Sequence, residues 1–156
     1  MQVKEVLKLK GSTLFSATPE TPLGEAVISM ADHDIGSLVV MEGGKLVGML
    51  TFREVLAVLA MRQKERRVGK TPPIAEIKVG EAMQRDPMTA YPGMEVDELR
   101  RGMIQRHARY VPVMDGDVLQ GVISFHDVAK SVLEEKSFEN KMLKAYIKDW
   151  PEKEDE

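Results

Sequence analysis

The segment Gly48-Met-Leu-Thr-Phe-Arg-Glu-Val55 returns 73 residues later as Gly121-Val-Ile-Ser-Phe-His-Asp-Val128. A repeat constrains a fold more than any local propensity, because two copies of one unit adopt one shape and bury their apolar faces together. The register runs without a gap from Thr18–Val58 onto Tyr91–Ser131, pairing Pro19 with Pro92, Met30 with Met103, Gly43 with Gly116 and Leu46 with Leu119. Upstream, Val3-Lys-Glu-Val-Leu7 matches Val79-Gly-Glu-Ala-Met83 at an offset of 76, so the first copy carries three extra residues in the loop Lys8–Ala17. The chain is an internal duplication.

Each copy reads as helix, strand, strand, helix, with a short extended piece in front. Leu23, Ala26, Val27 and Met30, and in the second copy Val96, Leu99 and Met103, make the stripe of a helix lying on a core. Pro22 and Glu95 open these helices. Ser37–Met41 and Tyr110–Met114 are too short for helices and rich in valine, so they read as buried strands. Turns follow at Glu42-Gly-Gly-Lys45 and Asp115-Gly-Asp117, where Gly and Asp accept positive φ, and the return strands are Lys45–Leu50 and Val118–Ile123.

Thr51 and Ser124 then stand at the start of the second helix, with Glu54 and Asp127 three residues on. This is the spacing of a capping box, and capping is the plainer reading of the pair. Between the copies, Gly69-Lys-Thr-Pro-Pro73 reads as a linker, because prolines end a helix. The preceding basic run Arg62, Lys64, Arg66, Arg67 and Lys70 suits a helix C-terminus. Beyond Ser131, Phe138, Met142, Tyr146 and Trp150 recur every four residues, with Leu143 and Ile147 beside them, until Pro151. Such a stripe fits packing on the chain's own core or a dimer contact, and both readings stand.

Composition narrows the function. A net charge of −3 gives no reason to expect nucleic acid, which usually wants a basic face. With no cysteine there is neither a disulfide nor a thiolate metal site. No apolar run reaches a membrane span and no signal-peptide core is present, so a cytoplasmic protein is expected. Eleven methionines and few aromatics point to a pliable aliphatic core. His33, His107 and His126 show no metal-ligand spacing, and His33 reads as a cap at a helix end. No P-loop or G-x-S-x-G occurs, so no enzyme is expected.

Ile35-Gly-Ser-Leu-Val-Val40, Gly48-x-x-Thr51-x-Arg53-Glu54, Arg109-Tyr-Val-Pro-Val113 and Gly121-x-x-Ser124-x-x-Asp127 together resemble the CBS domain family in its tandem-pair form, the Bateman module. The resemblance covers Val3 to about Asn140, with CBS domains expected at 7–66 and 82–140 and a C-terminal helix and tail at 141–156. The pieces Val3–Leu7 and Ala145-Tyr-Ile147 also resemble those of stand-alone bacterial CBS pairs. The resemblance implies an α/β (α+β) fold of two β-α-β-β-α repeats, their three-stranded sheets packed about a pseudo-two-fold axis. It further implies two clefts that in many members bind AMP, ADP or ATP.

Carried onto this sequence, the resemblance gives Ser124 the phosphate and Asp127 the ribose. Thr89, Ala90 and Tyr91 would border the adenine, with Val111 and Pro112 as its apolar wall; Thr51, Thr18 and Ala17 correspond in the first copy. Arg53 and Arg109 match positions that place a guanidinium toward phosphate. A helix N-terminus favours such an anion, the acid one turn on accepts hydroxyl donors, and the preceding glycine would let a nucleotide approach the strand. Two residues depart from the pattern. Glu54 adds a methylene where Asp or Asn is usual, and His126 stands at a position that is small in many second copies. A single functional cleft around Ser124 and Asp127 is therefore expected, with the Thr51–Glu54 cleft weaker or empty. A charged His126 would make binding there pH-dependent near its ordinary pKa of about 6.5.

The implied function is a regulatory sensor with an adenine nucleotide as its ligand, no obligatory cofactor, and a regulated partner protein. The alternatives are a pair that kept the fold for protein interaction alone, or a metal or nucleic-acid binder, which the composition disfavours. The resemblance also implies a flat homodimer through Phe52–Met61 and Phe125–Leu133, where Leu56, Leu59, Val128 and Val132 exceed what one core needs.

Overall fold

The apolar stripes of the two copies become paired helices over paired hairpins. The computed structural model describes residues 1–11, 14–65 and 73–148. Its elements are α1 (Val3–Lys10), β1 (Ser16–Ala17), α2 (Leu23–Asp32), β2 (Ser37–Glu42), β3 (Lys45–Thr51) and α3 (Phe52–Glu65). After a short 3-10 turn (Ile74–Glu76) come α4 (Val79–Ala82), α5 (Val96–Arg106), β4 (Tyr110–Asp115), β5 (Val118–Ser124) and α6 (Phe125–Lys148). The expected linker residues 69–72, Arg66, Arg67, Lys70, Trp150, Pro151 and the tail lie outside the described residues. Among those described, no helix is long and apolar enough to cross a membrane.

Leu23, Ala26 and Met30 of α2, and Val96, Leu99 and Met103 of α5, are buried as their spacing requires. Each of the buried Leu, Met and Val side chains among them contributes about 1.5–3 kcal/mol. The hairpins β2–β3 and β4–β5 slip register at equivalent places, Val40/Met41 and Val113/Met114. The helix-to-strand loops repeat as well. Asp34 and His107, equivalent by the 73-residue offset, both adopt left-handed backbone, with φ of 51° and 52°.

The two sheets differ at one edge. In the first, β1 pairs in parallel with β2, giving three strands in the order β1-β2-β3. The second has β4 and β5 plus a single bridge, Ala90 to Val113, so a full third strand is absent there. Ser16 pairs with Val39 in the first copy, and Pro112 stands at the position equivalent to Val39. Proline has no N–H to give that rung of the ladder.

The leading helices cross over. The Val3 N–H donates to the Met94 carbonyl at 2.9 Å, and the Val79 N–H donates to the Thr21 carbonyl at 2.8 Å. The Val96 N–H reaches Met1 at 2.9 Å, and the Leu23 N–H reaches Ile77 at 2.7 Å. Val3 and Val6 of α1 thus lie in the second copy's core, whereas Val79 and Met83 lie in the first copy's. Each half is completed by a helix from the front of the other. The helix cap expected of His33 is present, its N–H donating to the Ser29 carbonyl at 3.1 Å.

The face of α6 changes along its 24 residues. Val128 is fully buried in the second core and Val132 leans against it, so these two are core residues and not the surplus expected of them. Further on, Phe138, Met142, Leu143, Tyr146 and Ile147 are all exposed. Their stripe does not pack on the chain's own core.

Candidate functional site

β3 ends on Thr51 and β5 on Ser124, and the following residue begins a helix in each case. In the second copy the capping box closes in both directions. The Ser124 N–H donates to Asp127 Oδ2 at 2.8 Å, and the Asp127 N–H donates to Ser124 Oγ at 3.0 Å. In the first copy the Thr51 hydroxyl lies 3.1 and 3.0 Å from the two Glu54 carboxylate oxygens, and accepts the Arg53 N–H at 3.2 Å. The longer glutamate folds back onto the hydroxyl. Both hydroxyls remain at a helix N-terminus, where the dipole favours an anion.

The glycine before each hydroxyl makes room for the protein's own chain. A Cβ on Gly48 would meet Met83 Sδ at 2.5 Å and the Gln84 carbonyl at 2.9 Å. One on Gly121 would meet Leu7 Cδ2 at 3.0 Å. The crossed-over segments press onto the strands at these points.

Two cavities flank the seam between the copies, and the repeat offset relates them. The first, about 260 Å³, takes Thr51, Arg53 and Glu54 from one copy and His107, Arg109 and Tyr110 from the other. The second, about 840 Å³, takes Ser124, Phe125 and His126 from one copy and Asp34, Gly36 and Ser37 from the other. Each cavity therefore combines one copy's hydroxyl motif with the loop leading into the other copy's first hairpin strand. Arg109 and Tyr110 line both. In the smaller cavity Arg53 Nη2 donates to the His107 carbonyl at 2.8 Å, tying the motif of one copy to the loop of the other.

The two acids sit in opposite electrostatic settings. Glu54 is half-buried, and that desolvation raises its pKa above the ordinary carboxylate value against the lowering effect of the Thr51 hydrogen bonds and Arg53. Asp127 is also desolvated, but Lys10 Nζ donates to its Oδ2 at 2.7 Å. This contact and the Ser124 hydrogen bonds outweigh burial and hold its pKa below the ordinary value. Lys10 lines the larger cavity, where Asp127 does not.

Of the residues expected at a ligand, Ser124, His126 and Arg109 line the larger cavity and Thr51, Arg53, Glu54 and Arg109 the smaller. The structure places the adenine-bordering set elsewhere. Val111, Pro112, Ala90 and Ala17 are buried, with Ala90 bridging to Val113 and Ala17 paired with Val40. Tyr91 and Thr89 are exposed, and the Thr18 N–H donates to Thr21 Oγ1 at 3.0 Å. None of these seven lines either cavity. Lys10, Gly36, His107 and Tyr110 line the cavities without having been expected there. The repeat offset, applied across the copies and not within one, points to Gly36, His107 and Tyr110. No motif marks Lys10. Among the described residues, no group of three or more His, Cys, Asp or Glu side chains could hold a metal ion.

The family model for the CBS domain matches this chain twice, at residues 3–61 and 79–134. The CBS domain-containing protein YhcV of Bacillus subtilis is 29% identical over 136 residues, covering 86% of this chain and 88% of YhcV. The solved structure of a CBS-domain containing protein from Agrobacterium tumefaciens superposes with a TM-score of 0.73 at 28% identity, over 84% of this chain and 98% of that one. CBSX2, solved in complex with AMP, shares the fold with a TM-score of 0.65 at 22% identity, over 79% of this chain and 90% of its own.

Proposed function

This chain belongs to the CBS domain family as a tandem pair, and from that premise we propose that it is a regulatory sensor whose larger cavity takes an adenine nucleotide. The observation that carries the reading is the wall of that cavity. Lys10, Arg109 and His126 converge on it with the Ser124 hydroxyl at a helix N-terminus, and Asp127 lies behind Lys10. The Lys10 and Arg109 cations and the helix dipole suit phosphate, and a carboxylate suits the two ribose hydroxyls. Size points to the same cavity. Small-molecule sites run to about 300–1,000 Å³, which includes the cavity beside Ser124 and exceeds the 260 Å³ beside Thr51. Glu54 is disfavoured as an anion by its burial, which makes the smaller cavity the weaker site. AMP in CBSX2 belongs to a protein sharing this fold; the chemistry of this chain's own cavity supports the nucleotide here.

Occupancy would be passed on through a homodimer. The helix α3 has no fully buried residue and exposes Phe52, Leu56 and Leu59, apolar surface that a second copy would cover. The regulated partner is a protein that senses the geometry of that dimer.

Thermal melts with AMP, ADP and ATP test the proposal. A nucleotide at a hundredfold excess over its Kd adds about 2.7 kcal/mol of stability. Asp127→Ala is expected to abolish the shift and Glu54→Ala to leave it. The reverse pattern would place the site in the smaller cavity. A second reading, a pair that serves interaction alone, draws on the closed Ser124–Asp127 box and its Lys10 contact, which satisfy the motif without a ligand. Melts unmoved by any adenine compound would favour that reading.

A further inference from the structure

The two halves diverge where the first copy carries its extra residues. In the first copy, the edge of β3 at Met49 is met by backbone. The Met49 N–H donates to the Gln84 carbonyl at 3.0 Å, and the Gln84 N–H to the Met49 carbonyl at 2.8 Å. Val122 is the equivalent position on β5, and a side chain meets it. Lys10 Nζ donates to the Val122 carbonyl at 2.8 Å and to Asp127 Oδ2 at 2.7 Å. Lys10 is the last residue of α1, and Gly11, at φ 94°, carries the chain away from it. Lys10 is thus one of the residues lining the larger cavity, and its ammonium holds a carboxylate that does not line it.

Resting on the nucleotide reading above, we propose that Lys10 is the specificity-determining residue of the Ser124 cavity: it covers the ribose-accepting carboxylate and yields it only to ligands that bring an anion. A nucleoside that approached Asp127 would give the carboxylate hydroxyl donors but break its ion pair with Lys10 and leave the ammonium with the Val122 carbonyl alone. That exchange is unfavourable, because it gives up the Coulomb attraction of an ion pair at 2.7 Å and leaves the ammonium without a counter-charge. A nucleotide avoids the loss. Its phosphate supplies the ammonium with a new partner while its ribose hydroxyls take over the carboxylate. Arg109 on the same wall adds to the field that draws the phosphate in. The smaller cavity has no such device; among the contacts of Glu54, the hydrogen-bond partner is the Thr51 hydroxyl and the nearby cation, Arg53, points its Nη2 to the His107 carbonyl.

The test is a calorimetric titration of the full chain with adenosine and with AMP, for wild type, Lys10→Met and Lys10→Arg. Wild type is expected to prefer AMP. In Lys10→Met the AMP-to-adenosine affinity ratio should fall by about tenfold, through tighter adenosine and weaker AMP, as expected for losing a charge-assisted contact. Lys10→Arg should keep the preference. An unchanged ratio in Lys10→Met overturns the role of Lys10 and leaves nucleotide binding standing. Adenosine bound by Lys10→Met but not by wild type supports it outright. If no form binds either compound, the nucleotide reading falls and the specificity role falls with it; carbon-13 titration of the Asp127 carboxyl then shows separately whether the Lys10 contact exists.

Discussion

The Tyr110 phenol lies over the Cα of Gly36, so close that a Cβ built on Gly36 would overlap the phenol oxygen and its ring carbon and press on Phe52. Neither residue has its own kind at the equivalent place, since Gly36 corresponds to Arg109 and Tyr110 to Ser37. A pair of loops that a perfect duplication would make identical has become a bulky residue seated on a bare one. Because Tyr110 lines both cavities, the same contact sets the shape of each.

Gly36→Ala is therefore expected to cost about 1–3 kcal/mol, the usual price of overpacking a closed contact. Urea unfolding measures the loss. Placing serine, the first copy's own residue, at position 110 removes the phenol, and should recover part of the loss in the double variant. A Gly36→Ala chain as stable as wild type would mean that Tyr110 swings aside freely, and the cavities with it.

Glu54 and Asp127 should drive stability in opposite directions with pH. Burial raises the folded pKa of Glu54 above its unfolded value, so the folded state holds the proton more tightly. Its contribution is fully present below the unfolded value and is lost as pH rises through the folded one. Glu54→Gln should then match wild type in acid and exceed it at neutral pH by a few tenths to about 1 kcal/mol, the site being only half-buried. Thermal melts from pH 4 to 7 would reveal the divergence; parallel curves would contradict it.

For Asp127 the sign reverses. Its folded pKa lies below the unfolded value, so its contribution is present above the unfolded pKa and is lost as pH falls through the folded one. Lys10→Met removes one cause of the depression. Lys10 is 38% exposed, which limits the effect to about 0.5–1 kcal/mol at neutral pH. The deficit should shrink in acid, where the carboxyl is protonated in both proteins. A deficit that persists below the carboxylate range would assign it to lost packing of the lysine stem.

The duplication exposed most of the fold, because the stripes of α2 and α5 and the valine-rich strands carry periodicities that sequence displays directly. It did not expose the crossing of α1 and α4. Periodicity marks Val3 and Val6 as one apolar face but says nothing of which core receives it. At the candidate site, Ser124, Arg109 and His126 were legible as motif positions that reach a cavity. Val111 and Pro112 are a cavity wall only by family resemblance, and their apolar character buries them in the strand β4. Lys10 left no trace, since its contact with Asp127 joins positions 117 residues apart through one exposed charge at a helix end. Such pairings depend on three-dimensional approach alone.

The proposed dimer makes the last claim on solution behaviour. Leu56 is 67% exposed in the middle of α3, flanked on that helix by the exposed Phe52 and Leu59. Covering a leucine that size recovers about 1.5–3 kcal/mol per copy, and a glutamate in its place would bury an unpaired charge in the contact. Sedimentation should show wild type at twice 17.5 kDa and Leu56→Glu at 17.5 kDa. Since Leu56 touches solvent in the single chain, the variant's intrinsic stability should stay within about 0.5 kcal/mol of wild type once dimer linkage is removed by dilution. Phe138→Glu serves as the counterpart, being 64% exposed on the far part of α6. Loss of the dimer in Phe138→Glu with Leu56→Glu unaffected would move the contact from α3 to the end of α6, and wild type sedimenting as the single chain at micromolar concentration would remove it altogether.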